Sequence, residues 1–493
     1  MILILPFALS LLFVHDRMTL LDEDGCSCML LAKSLWSGGG YRSIWLEGSP
    51  VHVHFPPLLP LMLVPFWGLF GMHFQPAHFF MALWYALGCW LGYRLLRKRL
   101  SPLVAALWAT FLATSPLYLE SVSSVNSELP YTVLSLGGLL LIEDKEEISL
   151  KKWVAVLILF ALSFYMRTIS FTLFLTAALF YFLRPDAGDR TRKALSIAGA
   201  SAVLMLPWTL WTHHGSGGNT YIAQFFMGNP YAQAPMMAGL GDITRRFGSN
   251  IFYYIGEISS LLAFELMKVR FMVPALFIVA AAVLTAVIFI GWWRWVSGRR
   301  SAAAIYTLLY FGPLMVWFWQ YTRFLFPLII PIGLCLAEGS MAIGERALGI
   351  KSRPMIERVL ALFAAIMIIG NLVGIIHHHR QPIPPQIADF FAIHAPLRTA
   401  AAPDDVVVSR NHAITSLLTG LRTRSFTGVK SPGIALSLAD GANWLILGEL
   451  DEKTRASMEE MLRRYPDRFQ LVDEKGPTRL YRIIPRSHNP ASP

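Results

Sequence analysis

Three consecutive acids, Asp22, Glu23 and Asp24, follow a short apolar run at the start of this 493-residue chain. A carboxylate beside a candidate membrane span is costly unless it faces water or a polar partner, so it is a functional candidate. Asp24 opens a run with helical spacing, and a carboxylate at a helix N-terminus stays ionised and can accept a proton from a hydroxyl. The same position is also a common N-cap, and the two roles can coexist. We interpret Asp22 and Glu23 as solvated neighbours that tune the local potential.

Other charged residues lie at the edges of apolar segments. Glu128, in Ser127-Glu128-Leu129-Pro130, is the second candidate catalytic acid, although a Glu in a first helical turn also satisfies the helix dipole. Arg167, Lys268 and Arg323 also lie beside apolar runs. They are candidates for binding a phosphate, for which the guanidinium fork is well suited. Anionic lipid head groups are the alternative partners of these cations.

The segment from Gly38 to Pro60 adds two substrate-binding candidates, Tyr41 and His54. His54 can bond a phosphate or sugar oxygen. Metal ligation by His52 and His54 is an alternative, but the two rings share a face only if the backbone is extended. The four cysteines have no His or Cys partner at zinc spacing. We therefore predict no metal site, and leave a need for a divalent metal open.

The elements that must position these residues are membrane helices. Hydrophobic residues make up 55% of the chain and charged residues 15%, against about 25% charged in soluble domains. The net charge of +11 comes from short basic clusters between apolar runs, which is typical of cytoplasmic loops and not of a nucleic-acid surface. The pattern predicts a polytopic α-helical membrane protein with about 11 spans. They are expected near 2–20, 76–94, 102–118, 127–142, 152–166, 168–183, 194–212, 271–293, 302–320, 324–342 and 357–376.

Charge also predicts the orientation and the domains. The basic clusters at 94–99, 184–193, 294–300 and 346–353 fall on one side, which we assign to the cytoplasm. The acids and the C-terminal tail are then extracytoplasmic. The N-terminal run reads as an uncleaved first span, with an upstream start also conceivable.

The tail reads as a separate domain. A proline-rich linker, Pro382 to Pro385, separates a membrane domain, 1–380, from a domain at 381–493 in which β-rich runs alternate with amphipathic helices. This alternation predicts a small α/β domain, serving as a lid or scaffold.

The segments Asp24-x-x-x-Cys28-x-x-x-Ala32-Lys33, Gly38 to Tyr41 and His54 to Pro60 resemble the first outer loop of a known family. It is that of polyprenyl-phosphate-sugar glycosyltransferases of the GT-C superfold, which include protein O-mannosyltransferase and aminoarabinose transferase relatives. The segments 127–131 and 323–327 are similar to stretches of the same family.

The resemblance implies that the acid after the first span, Asp24 by spacing, is the base that acts on the acceptor. The chain departs from the pattern at three positions, since Gly25 replaces a second acid, Cys28 a tyrosine, and Phe55 a lysine that contacts the lipid phosphate in some relatives. The expected phosphate partners therefore become Arg323 and Arg167.

The predicted function is inverting transfer of a sugar from an undecaprenyl- or dolichyl-phosphate carrier to a glycan, lipid or protein acceptor. The reaction is expected at the outer face of the inner membrane, with the lipid-linked sugar as the donor and without nucleic acid. A transporter or lipid flippase is one alternative, and it predicts charges deep inside spans and pseudo-symmetric halves. A non-catalytic scaffold for envelope assembly is the other.

Overall fold

The protein is mainly α-helical. The computed structural model describes residues 4–18, 21–143, 149–183, 190–215, 221–228, 230, 237–263, 272–299, 301–346, 349, 353–426, 431–448 and 452–485. Sixteen helices lie in the described part before residue 380. They are α1 (Ile4–Ser10), α2 (Glu23–Trp36), α3 (Leu58–Phe70), α4 (Phe74–Leu96), α5 (Pro102–Ala113), α6 (Pro116–Glu120), α7 (Glu128–Ile142), α8 (Leu150–Met166), α9 (Phe171–Leu183), α10 (Arg190–Gly215), α11 (Tyr221–Phe226), α12 (Leu240–Leu262), α13 (Pro274–Arg299), α14 (Ala302–Val316), α15 (Ile329–Arg346) and α16 (Arg353–His379).

Several of these helices are long and apolar enough to cross a bilayer. Among the described residues they are α4, α10, α13, α16 and the segment Thr322–Arg346, in which a 3₁₀ turn leads into α15. The bent pair formed by Pro102–Ala113 and Pro116–Ser123, at 62°, makes a sixth if it is one span. Shorter apolar helices accompany them, among them α3, α7 and α14. The polytopic helical architecture is confirmed, whereas the count of eleven spans stays a prediction.

Two of the long helices, α13 and α15, cross at glycines. A Cβ placed on Gly291 would lie 1.8 Å from the carbonyl oxygen of Cys335, and one on Gly339 would lie 1.9 Å from that of Val287. The backbones therefore approach too closely for any side chain at these positions, as is common where membrane helices pack through small residues. This crossing fixes the helix that follows Arg323.

The described residues after 380 form five further helices and one sheet. The helices are α17 (Pro385–Ala392), α18 (His394–Ala400), α19 (His412–Thr419), α20 (Pro432–Ala439) and α21 (Glu452–Arg464), and the strands are β1 (Val406–Val408), β2 (Arg422–Arg424), β3 (Trp444–Leu447), β4 (Phe469–Lys475) and β5 (Thr478–Ile483). The strand order is β2-β1-β3-β5-β4, with β2, β1 and β3 parallel and β5 and β4 antiparallel. The predicted α/β class is confirmed. Pro382 and Pro384 lie between the end of α16 and the start of α17, and Pro385 is the first residue of α17.

The sheet packs directly on the helical region. Side chains from one face, such as Val407, Ile446 and Leu480, belong to the same buried core as α2, together with Ile414 of α19. The other face has a core of its own with α20 and α21. The N–H of Thr423 and its Oγ1 both donate to the carbonyl of Trp45, at 2.7 and 2.9 Å, so β2 continues onto the loop before α3. The C-terminal domain is thus docked on the loop that carries the candidate site.

Candidate active site

The start of α2 is held in place by Asp22. Its carboxylate accepts hydrogen bonds from the N–H of Gly25 at 3.0 Å and from the N–H of Val125 at 2.8 Å, so it caps α2 and binds the segment before α7. A Cβ on Gly25 would lie 2.1 Å from this carboxylate. The glycine at this position, where the family pattern has an acid, is therefore required by space. Asp22 is a bonded cap, which corrects its interpretation as a solvated neighbour.

Four of the predicted residues meet at the first turn of α2, in what we call the acid–arginine cluster. Arg323 donates from Nη2 to the Asp24 carboxylate. Its Nε lies 3.5 Å from Oε1 of Glu128, and the same Oε1 lies 2.5 Å from Nη1 of Arg167. The sequence thus identified two acids and two arginines that the fold joins into one chain of ion pairs.

The members of the cluster differ in their exposure. The Asp24 side chain is 44% exposed, that of Arg323 30%, and that of Glu128 only 2%. Burial acts to raise the pKa of Asp24, but the Arg323 guanidinium outweighs it, so the pKa lies below the ordinary value and the carboxylate is ionised. Asp24 is therefore the acid of the cluster that a substrate can reach, while Glu128 fixes the two arginines from below.

Both guanidinium groups lie over aromatic rings. Arg323 is 5.8 Å and Arg167 5.4 Å from the centroid of Phe324, within the range of a cation–π contact. Arg167 also donates to the hydroxyl of Ser127 at 2.9 Å. A further acid that sequence reasoning missed, Glu257 of α12, accepts from Thr322 at 2.5 Å, directly beside Arg323. Its only sequence signal was a carboxylate within an amphipathic helix.

The loop before α3 is fixed by His52. The pKa of His52 is lowered to about 3 by burial, so the ring is neutral. Its Nε2 accepts from the N–H of Phe55 at 2.9 Å, so its proton is on Nδ1, which lies 2.9 Å from the hydroxyl of Ser43. The hydroxyl of Tyr41 donates to the carbonyl of Phe55 at 2.8 Å. Tyr41, predicted to bind substrate, thus holds the backbone next to His54.

His54 belongs to a row of neighbouring aromatic rings. Its ring stacks on Tyr221 of α11 with centroids 4.4 Å apart, and Tyr221 in turn lies 6.1 Å from Trp317. Burial lowers the pKa of His54, and Asp24 opposes the shift, which places the two groups within electrostatic reach. The arrangement gives Asp24 an aromatic flank. Tyr221 and Trp317 carried no signal that distinguishes them from the chain's other aromatic residues.

Glu23 points away from the cluster, toward the C-terminal domain. Its carboxylate accepts from the N–H of Ala413 at 2.7 Å and of Ile414 at 3.3 Å, and lies 3.1 Å from Nδ1 of His412. The interpretation of Glu23 as a solvated neighbour was therefore wrong. Its partners are mostly backbone groups almost 400 residues away, which leave no trace in the side-chain pattern.

Two further predictions concern binding groups. Lys268 lies outside the described residues. No group of three or more His, Cys, Asp or Glu side chains that could hold a metal occurs in the described part of the chain.

Comparison with known proteins bears on this geometry. A family model described as dolichyl-phosphate-mannose-protein mannosyltransferase matches residues 54–211, a range that contains His54, Glu128 and Arg167. A search of curated protein sequences gave no match.

Solved structures match over almost the whole chain. ArnT from Cupriavidus metallidurans bound to undecaprenyl phosphate has a TM-score of 0.61 at 12% identity, covering 99% of both chains. The apo form of ArnT gives 0.63 at 11% identity, covering 98% of this chain and 97% of that one. The oligosaccharyltransferase AglB from Archaeoglobus fulgidus, in complex with an inhibitory peptide and a dolichol-phosphate, gives 0.56 at 14% identity, covering 90% of this chain and 68% of that one. The chain therefore shares the fold of ArnT and AglB, and the predicted GT-C architecture is confirmed.

Proposed function

We propose that this protein transfers a sugar from a polyprenyl-phosphate carrier to a hydroxyl acceptor at the extracytoplasmic face of the membrane. The observation that carries the proposal is the acid–arginine cluster, in which the ionised, partly exposed Asp24 pairs with Arg323, and Glu128 joins Arg323 to Arg167 over the Phe324 ring. The match to a mannosyltransferase family model and the shared fold with proteins crystallised with polyprenyl phosphates support it.

In this reaction Asp24 is the general base. It takes the proton of the acceptor hydroxyl as the oxygen attacks the anomeric carbon. The bond from that carbon to the phosphate oxygen breaks, its electrons leave with the polyprenyl phosphate, and the anomeric configuration inverts. A carboxylate that is already ionised and is reached from solvent suits this role.

Arg323 has two tasks in the same step. Paired with Asp24, it keeps that carboxylate ionised before the substrates arrive. When the donor phosphate binds, the guanidinium fork turns its donors to the phosphate and stabilises the charge that develops as the bond breaks. The interaction of Asp24 with Arg323 is then weaker, so Asp24 becomes a stronger base. Arg167, which Glu128 holds at 2.5 Å, supplies a second positive charge.

Donor turnover tests the proposal. Purified protein is incubated with radiolabelled polyprenyl-phosphate sugars and with its membrane lipids and glycans as acceptors, and release of polyprenyl phosphate is measured. Mass spectrometry of lipid that co-purifies with the protein selects the sugars to be offered. We expect turnover that Asp24→Asn removes. A protein that binds these donors and turns none over is a carrier or scaffold, and the proposed function is then wrong.

A single cysteine tests the proposed sidedness. All four native cysteines are buried, which leaves a low background for thiol labelling. Ala456, in the exposed face of α21, offers a surface position. We expect Ala456→Cys to react with a membrane-impermeant maleimide in spheroplasts. Labelling only after lysis would place the C-terminal domain in the cytoplasm.

A further inference from the structure

The three consecutive acids at the start of α2 bind three different parts of the molecule. Asp22 binds the segment before α7 through the N–H of Val125, and Asp24 binds Arg323. Glu23, between them, binds the first turn of α19 in the C-terminal domain. Successive residues of a helix project about 100° apart, so the placement of one of these side chains constrains the next.

Glu23 caps the first turn of α19, a role that the N-cap residue of a helix usually has. Asn411 is the N-cap residue of α19, and Asn is among the strongest N-caps, yet its side chain makes no capping hydrogen bond. Its Nδ2 is buried without a hydrogen-bond partner. The N–H groups of Ala413 and Ile414 are capped by Glu23. The first turn of α19 is therefore completed by the helix that carries Asp24.

The junction has a second set of contacts that does not involve α2. Arg424 of β2 makes a bidentate ion pair with Glu47, and Thr423 bonds the carbonyl of Trp45. Both partners lie in the loop between α2 and α3. Loss of the Arg424 contact weakens the docking of the domain without touching the first turn of α2, so it serves as a matched control.

We propose that Glu23 is a positioning residue, through which the docked C-terminal domain holds Asp24 in the geometry needed for catalysis. This inference rests on the proposed function, because it assigns Asp24 the role of base. It makes the C-terminal domain a part of the active site and not only a lid or scaffold. The link from the C-terminal domain to Asp24 is direct, since Glu23 and Asp24 are adjacent residues of one helical turn.

The protonation states of the acids agree with separate roles for Glu23 in positioning and Asp24 in catalysis. Burial raises the pKa of Glu23 to about 8, against the opposing hydrogen bonds from Ala413 and Ile414, and Asp24 and Asp22 raise it further. Burial also lowers the pKa of His412, so its ring is neutral. At neutral pH Glu23 is therefore mainly a carboxylic acid, whereas Asp24 and Asp22, whose pKa burial raises only to about 6, carry the negative charge of the turn. Glutamine keeps the length and the neutrality of that acid, and its carbonyl oxygen can accept from one N–H of α19, whereas its NH2 group can only donate.

Steady-state transfer kinetics on the full-length protein test the inference. We expect Glu23→Ala to lower kcat at least tenfold with the donor KM within threefold of wild type, because Arg323 is untouched. Glu23→Asp, one methylene shorter, should behave like Glu23→Ala, whereas Glu23→Gln should retain at least a third of wild-type kcat. Arg424→Ala should also stay within threefold. A Glu23→Ala enzyme within threefold of wild type, or an Arg424→Ala enzyme as slow as Glu23→Ala, would overturn the proposal.

Hydrogen exchange provides a readout that needs no turnover. In Glu23→Ala and Glu23→Asp we expect amides of the first turn of α2 to exchange at least tenfold faster, and in Arg424→Ala to stay as in wild type. If Glu23→Ala does not fold, Glu23→Asp gives the same comparison. Absence of turnover in wild type, with this exchange difference intact, would refute the proposed function. Turnover in wild type without the exchange difference would refute the role of Glu23 alone.

Discussion

Two charge clusters of the same composition lie along one helix. At the start of the segment Thr322–Arg346, Arg323 and Arg167 pair with Asp24 and Glu128. Roughly 20 Å along it, a second cluster is formed by Glu338, Glu345, Arg99 and Arg294. Arg294 lies 3.5 Å from Glu338 and 2.8 Å from Glu345, and Arg99 lies 4.0 Å from Glu338. Each cluster has two acids and two arginines.

The difference between the clusters is what surrounds them. Glu338 is 7% exposed and adjoins the Gly339–Gly291 crossing, so the second cluster connects helices that already pack tightly. Its exposed acid, Glu345, pairs with an arginine that is itself at the surface. In the first cluster the exposed acid, Asp24, comes from a helix outside the spans and lies within electrostatic reach of His54, whose ring stacks on Tyr221. We therefore regard the first cluster as the candidate site, because its ionised carboxylate can be reached from solvent and lies near aromatic rings.

The largest expected contrast comes from neutralising one acid in each cluster. Asp24→Asn should lower transfer by about 10²–10⁴-fold, the range for a lost general base. Its melting temperature should stay close to that of wild type, because the Asp24 side chain is about half-exposed and the cap of α2 is Asp22. The measurement is donor turnover alongside a thermal melt in the same detergent. Transfer near the wild-type rate would remove Asp24 as the base.

The next largest effect is expected at Arg323, which pairs with the proposed base Asp24 and is proposed to bind the donor phosphate. Arg323→Ala should weaken binding of polyprenyl phosphate by about 2 kcal/mol or more, close to 30-fold in Kd. Arg323→Lys keeps the charge but loses the fork, so its loss should be smaller. Calorimetric titration with undecaprenyl phosphate measures both. Arg99→Ala, at the second cluster, is the matched control and should bind as wild type. Equal affinities for Arg323→Ala and wild type would move the phosphate site elsewhere.

The sequence identified the four residues of the acid–arginine cluster but not the contacts among them. Asp24, Glu128, Arg167 and Arg323 stood out because charge at the edge of an apolar segment needs a reason. Which acid binds which arginine depends on packing between residues 299 positions apart, and periodicity carries no such information. The same limit explains why Glu23 was misread.

The C-terminal sheet also contains strands that their own residues indicate and strands that they do not. Strands β1, β3 and β5 coincide with the β-rich runs of the tail, such as Val406–Val408, which is apolar and β-branched. Strand β2, Arg422–Arg424, has no apolar signature and forms by pairing with β1 and with the loop at Trp45. Strand β4 lies at the sheet edge with most side chains outside the core. Elements that depend on a partner for their conformation are not visible in their own residues.

A smaller effect is expected when the second cluster is neutralised. Glu338→Gln leaves Arg294 and Arg99 with a weaker partner near a tight helix crossing, which should cost about 1–3 kcal/mol of stability. Specific activity per folded molecule should remain within about threefold of wild type, less than 1 kcal/mol in barrier height. Thermal melts and turnover on the same preparation check this. A loss of turnover as large as that of Asp24→Asn would erase the distinction between the clusters.

The smallest effect is a pH dependence beside the first cluster. The pKa of Glu23 is raised from its ordinary 4.5 to about 8, so between these values the folded protein binds more protons than the unfolded chain. Stability should therefore fall as pH rises through this window and level off above it. Glu23→Gln has no such proton to lose. Its melting temperature should decline less than that of wild type between pH 6 and 8.5, with the two curves separating as pH rises.

Asp24→Asn is the control for this comparison. Arg323 keeps the pKa of Asp24 below its ordinary value although burial opposes it, so Asp24 is ionised in both states across the window. The melting temperature of Asp24→Asn should still fall as pH rises from 6, with the fall shifted to lower pH because Asp24 no longer raises the pKa of Glu23. If Glu23→Gln and wild type run parallel, Glu23 is ionised at neutral pH. The carboxylate charge of the turn is then shared between Glu23 and Asp24, because both side chains begin from the same helical turn.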